Sequence, residues 1–188
     1  MTRGVRSIWL IPAAVAASVI VVDQATKAWI YDLLGGIEGN SIPLLGDWLM
    51  FTFVKNTGVA FGMFQDFPYV FTVTSILISI GALYFYRTQL PNHNPLVQLT
   101  VGAIIGGAIG NIIDRIRIGY VIDFVHVSWF PGIFNVADAC ISVGVVILAG
   151  FLMLKGEELQ PRTPPADDAL LGDLLNHEPL TKSSERQP

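Results

Sequence analysis

Four stretches of this chain, residues 8–30, 67–86, 96–113 and 134–154, are almost wholly apolar. A helix crosses the hydrocarbon of a bilayer in about 20 such residues, so each stretch is long enough to span. The second is the cleanest, with no charged residue between 67 and 86. Composition agrees: 52% of residues are hydrophobic and 14% charged, against roughly 25% charged in soluble domains. The expected fold class is a mainly α membrane protein, a bundle of four transmembrane helices with a small extracytoplasmic sheet and loop region.

Charge divides the chain into two parts. Residues 1–155 carry eight basic and eight acidic side chains, and residues 156–188 carry three basic and seven acidic, so the net charge of −4 lies in the tail. A neutral body gives no electrostatic reason to bind nucleic acid. We expect a four-span membrane domain over 1–155 and a disordered, acidic, proline-rich tail over 156–188. Arg3 and Arg6 precede the first span as in a signal peptide, but the apolar run continues to Asp23, Lys27 and Trp29, which reads as a retained helix. Arg3, Arg6, Arg87 and Lys155 place both termini in the cytoplasm by the excess of positive charge inside. The loops at about 31–66 and 114–133 then lie outside. Lys55, Arg115 and Arg117 lie there against that rule, as residues serving a site would.

Within the first outer loop, residues 48–56 are rich in aromatic and β-branched residues and read as a strand, with Asn56-Thr57-Gly58 turning the chain. In the third span Gly102, Gly106 and Gly110 recur every four residues, a smooth face for close helix packing. Cys140, the one cysteine, reads as a small buried hydrophobe.

The polar residues of the spans gather at one depth. Asp23 and Lys27 share a helix face at i, i+4 spacing, as an intrahelical ion pair would. Asn111, Asp114 and Arg115 lie on one side of the third helix by their i, i+3, i+4 spacing. Asp123 sits in Gly119-Tyr120-Val121-Ile122-Asp123-Phe124, and Asp138 one helical turn after Asn135. Plainer roles exist: a surface-turn carboxylate for Asp123, and for Asp138 an acid complementing a helix dipole. Neither explains two carboxylates kept in such apolar strings, where an ionisable group is costly and marks a functional site.

Two carboxyl groups brought within a few ångströms share a proton and their affinities for it split. One then serves as base, activating water against an amide carbonyl, and the other as acid toward the carbonyl oxygen. No serine or cysteine stands in a nucleophile motif. His93 and His177 fall on the cytoplasmic side, and His126, three residues from Asp123, is left as an accessory. Zinc-ligand spacing is missing. No metal or cofactor is expected.

Five blocks together resemble the lipoprotein signal peptidase family (signal peptidase II, aspartic peptidases). They are Val22-Asp23-Gln24-Ala25-Thr26-Lys27, Lys55-Asn56-Thr57-Gly58-Val59-Ala60-Phe61-Gly62, Gly110-Asn111-Ile112-Ile113-Asp114-Arg115, Gly119 to Phe124, and Phe134-Asn135-Val136-Ala137-Asp138. The resemblance implies an aspartic endopeptidase of the bacterial inner membrane, with its active site near the outer face. It would remove the signal peptide from diacylglyceryl-modified prolipoproteins, cutting just before the lipidated cysteine. Asp123 and Asp138 would form the catalytic dyad. Asn111, Arg115 and Asn135 would hold substrate, and Asn56 and Gly58 would lie on the outer loop that covers the dyad. Asp23, with Lys27, would serve structural integrity, and Asp114 either pairing or chemistry. Partners would be those substrates and membrane lipid, with the enzyme a monomer. The short stretch 124–133 departs from the family and would trim the surface near the dyad.

The alternative is a small proton-coupled transporter, in which Asp23, Asp114, Asp123 and Asp138 would form a relay. That reading needs acids at several depths, whereas here they cluster at one. A non-enzymatic scaffold leaves the paired carboxylates unexplained.

Overall fold

The computed structural model describes residues 2–58 and 68–159. Four helices and four strands follow one another as α1 (Thr2–Leu33), β1 (Ser41–Leu45), β2 (Leu49–Asn56), α2 (Pro68–Thr88), α3 (Pro95–Ile118), β3 (Val121–Val127), β4 (Ile133–Phe134) and α4 (Val136–Leu159). Three helical stretches, Ile8–Leu33, Pro95–Ile118 and Val136–Leu154, are long and apolar enough to cross a membrane. The described residues up to Met153 form one compact unit. Of the expected 156–188 tail, residues to 159 continue α4, and 160–188 lie outside the described residues, as does 59–62 of the second sequence block.

The glycine stripe of α3 acts as its spacing predicts. A Cβ at Gly102 would come within 2.7 Å of the Pro12 carbonyl oxygen, one at Gly106 within 2.8 Å of Ala16 backbone, and one at Gly110 within 2.6 Å of an Asp23 carboxylate oxygen. All three face α1. Gly107 faces α4 instead, where a Cβ would meet the Ala137 carbonyl oxygen at 2.5 Å. Glycine therefore lets α3 lie against α1 and α4 at backbone distance.

Both ends of α3 are capped. The Asn94 side chain accepts from the Leu96 and Val97 N–H groups, and Gly119, at φ 82°, stops the helix in the left-handed conformation that glycine takes at little cost. The helix thus runs past the expected end at 113, carrying Asp114 and Arg115 as a continuous face.

The strands form one antiparallel sheet in the order β1-β2-β3-β4. Residues 49–56 form a strand as expected, whereas Asp123, expected after a loop, lies within β3 opposite Val54. Ile30 and Leu34 of α1 pack against Phe53, Ile122 and Phe124 of the sheet. This fixes the sheet to the bundle end that holds the C-terminal turns of α1 and α3. At the other end Tyr86 is fully buried, and its hydroxyl donates to the Ile8 carbonyl at 2.5 Å. The segment after β3 turns at Ser128–Gly132, returns as β4, and leaves Trp129 72% exposed.

Gly107→Ala has no room without moving the start of α4 and is expected to cost roughly 1–3 kcal/mol. Thermal unfolding in detergent reads this as a drop of several degrees. Gly150→Ala, where a Cβ meets nothing within 4 Å, is the control and should leave the midpoint in place.

Candidate active site

Asp123 and Asp138, distant along the chain, converge on one residue. Asn135 precedes α4 as its N-cap, and its side-chain oxygen accepts the Asp138 N–H at 2.9 Å. The Asp138 carboxylate accepts the Asn135 backbone N–H at 3.2 Å. This reciprocal pair is a capping box in which an acid stands at the third helical position. The Asn135 NH2 group turns the other way and donates to Asp123 Oδ1 at 2.7 Å. One asparagine therefore holds both carboxylates. Asp138 does complement the helix start as its plainer role required, but as part of this junction. Asp123 is 2% exposed, which excludes a surface turn.

Three asparagine amides surround the pair, and each orientation follows from its neighbours. The Asn56 oxygen accepts the Gly58 N–H at 2.7 Å, so its NH2 faces Asp123 Oδ2 at 2.7 Å. Asn135 is fixed by the Asp138 N–H. The Asn111 oxygen accepts the Lys27 ammonium at 2.9 Å, so its NH2 faces Asp138 Oδ1 at 2.8 Å. In every case the amide oxygen meets a group that can only donate, and the NH2 is left for a carboxylate. Gly58 takes φ 88° to close its turn on Asn56.

Burial is the main cause that raises the Asp123 carboxyl to about 7, and the charge of Asp138 adds to it, while the Asn56 and Asn135 hydrogen bonds oppose it. Near neutrality Asp123 therefore exchanges a proton.

A second polar layer supports the first. Lys27, 2% exposed, contacts Asp23 at 2.8 Å and Asp114 at 2.9 Å. Asp23 Oδ1 accepts the Ala137 N–H at 3.0 Å, tying the start of α4 to α1. Asp114 accepts the Ile122 N–H at 3.2 Å, which holds β3 against α3. The i, i+4 pair expected on α1 is thus one half of a triad that joins α1 to α3, and the geometry of Asp114 is that of pairing. Among the described residues, every buried side-chain polar atom has a hydrogen-bond partner.

Several expected residues lie elsewhere. Lys55 sits over the Tyr120 ring, 5.5 Å from its centre, and Arg117 donates to Gln24 Oε1 at 3.3 Å. His126 bonds to Thr52 at 3.1 Å, away from Asp123. Arg115 lines a cavity of about 300 Å³ between α2, α3 and α4, with Asn111, Asp138 and Ser79. Sequence reading missed Gln24, whose Nε2 donates to Asp114 Oδ1 at 2.8 Å and to the Gly110 carbonyl at 3.2 Å. Its signal was an amide inside an apolar span.

Two carboxylates joined through one asparagine, where three apolar helices meet a small sheet, match a membrane-bound hydrolase of the aspartic type. Comparison with known proteins identifies which one. The family model described as signal peptidase (SPase) II matches residues 15–154. Curated relatives named lipoprotein signal peptidase include that of Caulobacter vibrioides, 45% identical over 142 residues, which span 72% of this chain and 82% of the relative. That of Caldanaerobacter subterraneus subsp. tengcongensis is 41% identical over 76% of this chain and 95% of its own. Among solved structures, a bacterial membrane enzyme aligns with a TM-score of 0.68 at 29% identity over 75% of this chain and 91% of its own. A second aligns with a TM-score of 0.65 at 27% identity, covering 94% of both chains. The chain belongs to the signal peptidase II family and is a membrane protease. The transporter reading has no support in these relatives.

Asn135→Ala removes the cap and the link between the aspartates. We expect a loss of about 1 kcal/mol for the cap and a fall in proteolysis far larger than the folded fraction explains. Asn135→Asp keeps an oxygen for the Asp138 N–H but presents an acceptor to Asp123, so it should fold and yet be inactive. Normal proteolysis by Asn135→Asp would mean that the NH2 donated to Asp123 is dispensable.

Proposed function

We propose that this protein removes the signal peptide from diacylglyceryl-modified prolipoproteins, cutting just before the lipidated cysteine, with Asp123 and Asp138 as the catalytic dyad. The observation that carries this reading is the single asparagine bonded to both carboxylates at the membrane end of α4. We read α2 (Pro68–Thr88) as a fourth span, since Arg87 is its sole charged residue. Both termini then lie in the cytoplasm and the dyad near the outer face of a bacterial inner membrane. The protein works as a monomer with membrane lipid around it. Residues 1–155 form the peptidase, and the acidic tail 156–188 lies outside catalysis.

The chemistry follows from the proton positions. Asp138, which lines two hollows whereas Asp123 is enclosed, takes a proton from a water molecule. The resulting hydroxide attacks the carbonyl carbon of the scissile amide. Asp123, protonated near neutral pH, gives its proton to the carbonyl oxygen as that oxygen gains charge. Collapse of the tetrahedral adduct breaks the C–N bond as Asp138 passes its proton to the leaving nitrogen, and Asp123 takes back the hydroxyl proton as the carbonyl re-forms. The enzyme forms no covalent bond to substrate.

Substrate handling follows from the two hollows that reach Asp138. The cavity beside Arg115 is partly polar and suits the peptide at the cleavage site, with the guanidinium donating to backbone carbonyls. The other is an apolar groove of about 440 Å³ lined by Trp129, Phe130, Phe134 and Val143, which also reaches Asp138. It suits acyl chains, and a lipid anchored on the cysteine would bring the scissile bond to headgroup depth. The Asn111 and Asn135 amides are engaged with the dyad, so we assign them to orienting aspartates and leave substrate contact to Arg115.

Purified enzyme with a diacylglyceryl-modified prolipoprotein tests the reading. Asp123→Asn and Asp138→Asn should each insert in the membrane and release no signal peptide. Turnover at the wild-type rate in either would remove that residue from the dyad. Because Asp123 must be protonated to act, and burial places its titration at about 7, kcat/KM should be held below that pH and fall tenfold per unit well above it. A rate constant unchanged from pH 6 to pH 9 would exclude Asp123 as the acid. Arg115→Ala should raise KM more than it lowers kcat.

A further inference from the structure

We propose that Lys27 is a positioning residue for the dyad: it sets which end of the Asn111 amide faces Asp138. The inference rests on the dyad reading above and adds to it a role for α1. Lys27 makes three contacts through Nζ, to Asp23 Oδ2 at 2.8 Å, Asp114 Oδ2 at 2.9 Å and Asn111 Oδ1 at 2.9 Å. These match the three N–H donors of an ammonium. Two carboxylates already balance its charge, so the third contact is not needed for neutralisation. It has an effect on Asn111 that neither acid could produce.

The effect comes from the asymmetry of an amide. An ammonium cannot accept, so the Asn111 oxygen must face it, and the Asn135 NH2 supports the same orientation at 3.1 Å. The Asn111 NH2 then falls on Asp138 Oδ1 at 2.8 Å. Without Lys27, Asn111 would meet the Asp23 and Asp114 carboxylates, which attract the NH2 group. The amide would turn over and set its oxygen against Asp138, an arrangement that repels a carboxylate and accommodates a protonated acid. The ionised form needed to activate water would be disfavoured. Of the groups that fix the asparagine amides, two are backbone N–H groups, one is the Asn135 NH2, and Lys27 is the one charged side chain. The charged groups around this end of α4 are Asp23 and Lys27 of α1, Asp114 and Arg115 of α3, and Asp123 of β3.

Lys27→Met alone would strand two buried acids, so the test uses Lys27→Met with Asp114→Asn, compared with Asp114→Asn alone and with Lys27→Arg. The readout is the pH dependence of kcat/KM, whose shape does not depend on the fraction of enzyme folded. Relative to Asp114→Asn, the double variant should show its acid limb about one pH unit higher. On that limb its kcat/KM at a given pH should be about tenfold lower, with the plateau and KM little changed, and Lys27→Arg should restore the wild-type limb. A double-variant profile that superimposes on that of Asp114→Asn would overturn the proposal. Should the double variant not fold, the wild-type protein labelled with ¹⁵N-asparagine supplies the second test. The Asn111 side-chain amide, assigned by its loss in Asn111→Leu, should move as the dyad titrates and shift in Asp138→Asn, and a resonance indifferent to both overturns it. Cleavage by Asp138→Asn would overturn the dyad reading and this one together, whereas an unaltered profile with inactive aspartate variants overturns this one alone.

Discussion

A carboxylate set among apolar residues of a membrane protein must be held by donors, and the rest of this structure follows from that requirement. Asp123 receives two amide NH2 groups and Asp138 one NH2 group and one backbone N–H. Each amide must in turn be prevented from flipping, which needs a donor-only group behind it. The glycine at the β2 turn, the start of α4 and the lysine of α1 supply these three groups. Helix capping, glycine spacing and the buried ion triad are therefore parts of one arrangement.

The triad shows why ionic groups persist at such depth. A buried ion pair contributes little net stability over an apolar replacement, because desolvation offsets attraction. Asp23, Lys27 and Asp114 have a further effect, since each also reaches a group on another element: the Ala137 N–H, the Asn111 amide and the Ile122 N–H. The charges thus specify how α1, α3, β3 and α4 meet. Gly110 belongs to the same device, because only a residue without Cβ leaves room for the Asp23 carboxylate.

Much of this was legible in the sequence, and the reason differs by feature. Local signals were dependable: apolar runs gave the helices, residues 48–56 the central strand, Asn56-Thr57-Gly58 its turn, and the glycine repeat the face of α3 against α1. The Asp23–Lys27 pair followed from helical spacing. Asp123 was singled out, but its place in a strand was not, because β3 is defined by pairing with β2, some seventy residues earlier in the chain, and no local pattern encodes a distant register. Asn111 and Asn135 were expected on substrate and lie on the aspartates, since an amide can serve either and only distances decide. The capping box of Asn135 and Asp138 was written in the sequence at its usual spacing, but with Asp in place of the common Glu or Gln.

The central claim is that Asp123 keeps a proton near neutral pH while it shares Asn135 with Asp138. Infrared spectroscopy of protein labelled with ¹³C-carboxyl aspartate measures this directly. A protonated-carboxyl band should be present at pH 6, disappear through about 7, and be missing from Asp123→Asn. A spectrum with every aspartate ionised at pH 6, or a band that survives in Asp123→Asn unchanged, would contradict the account.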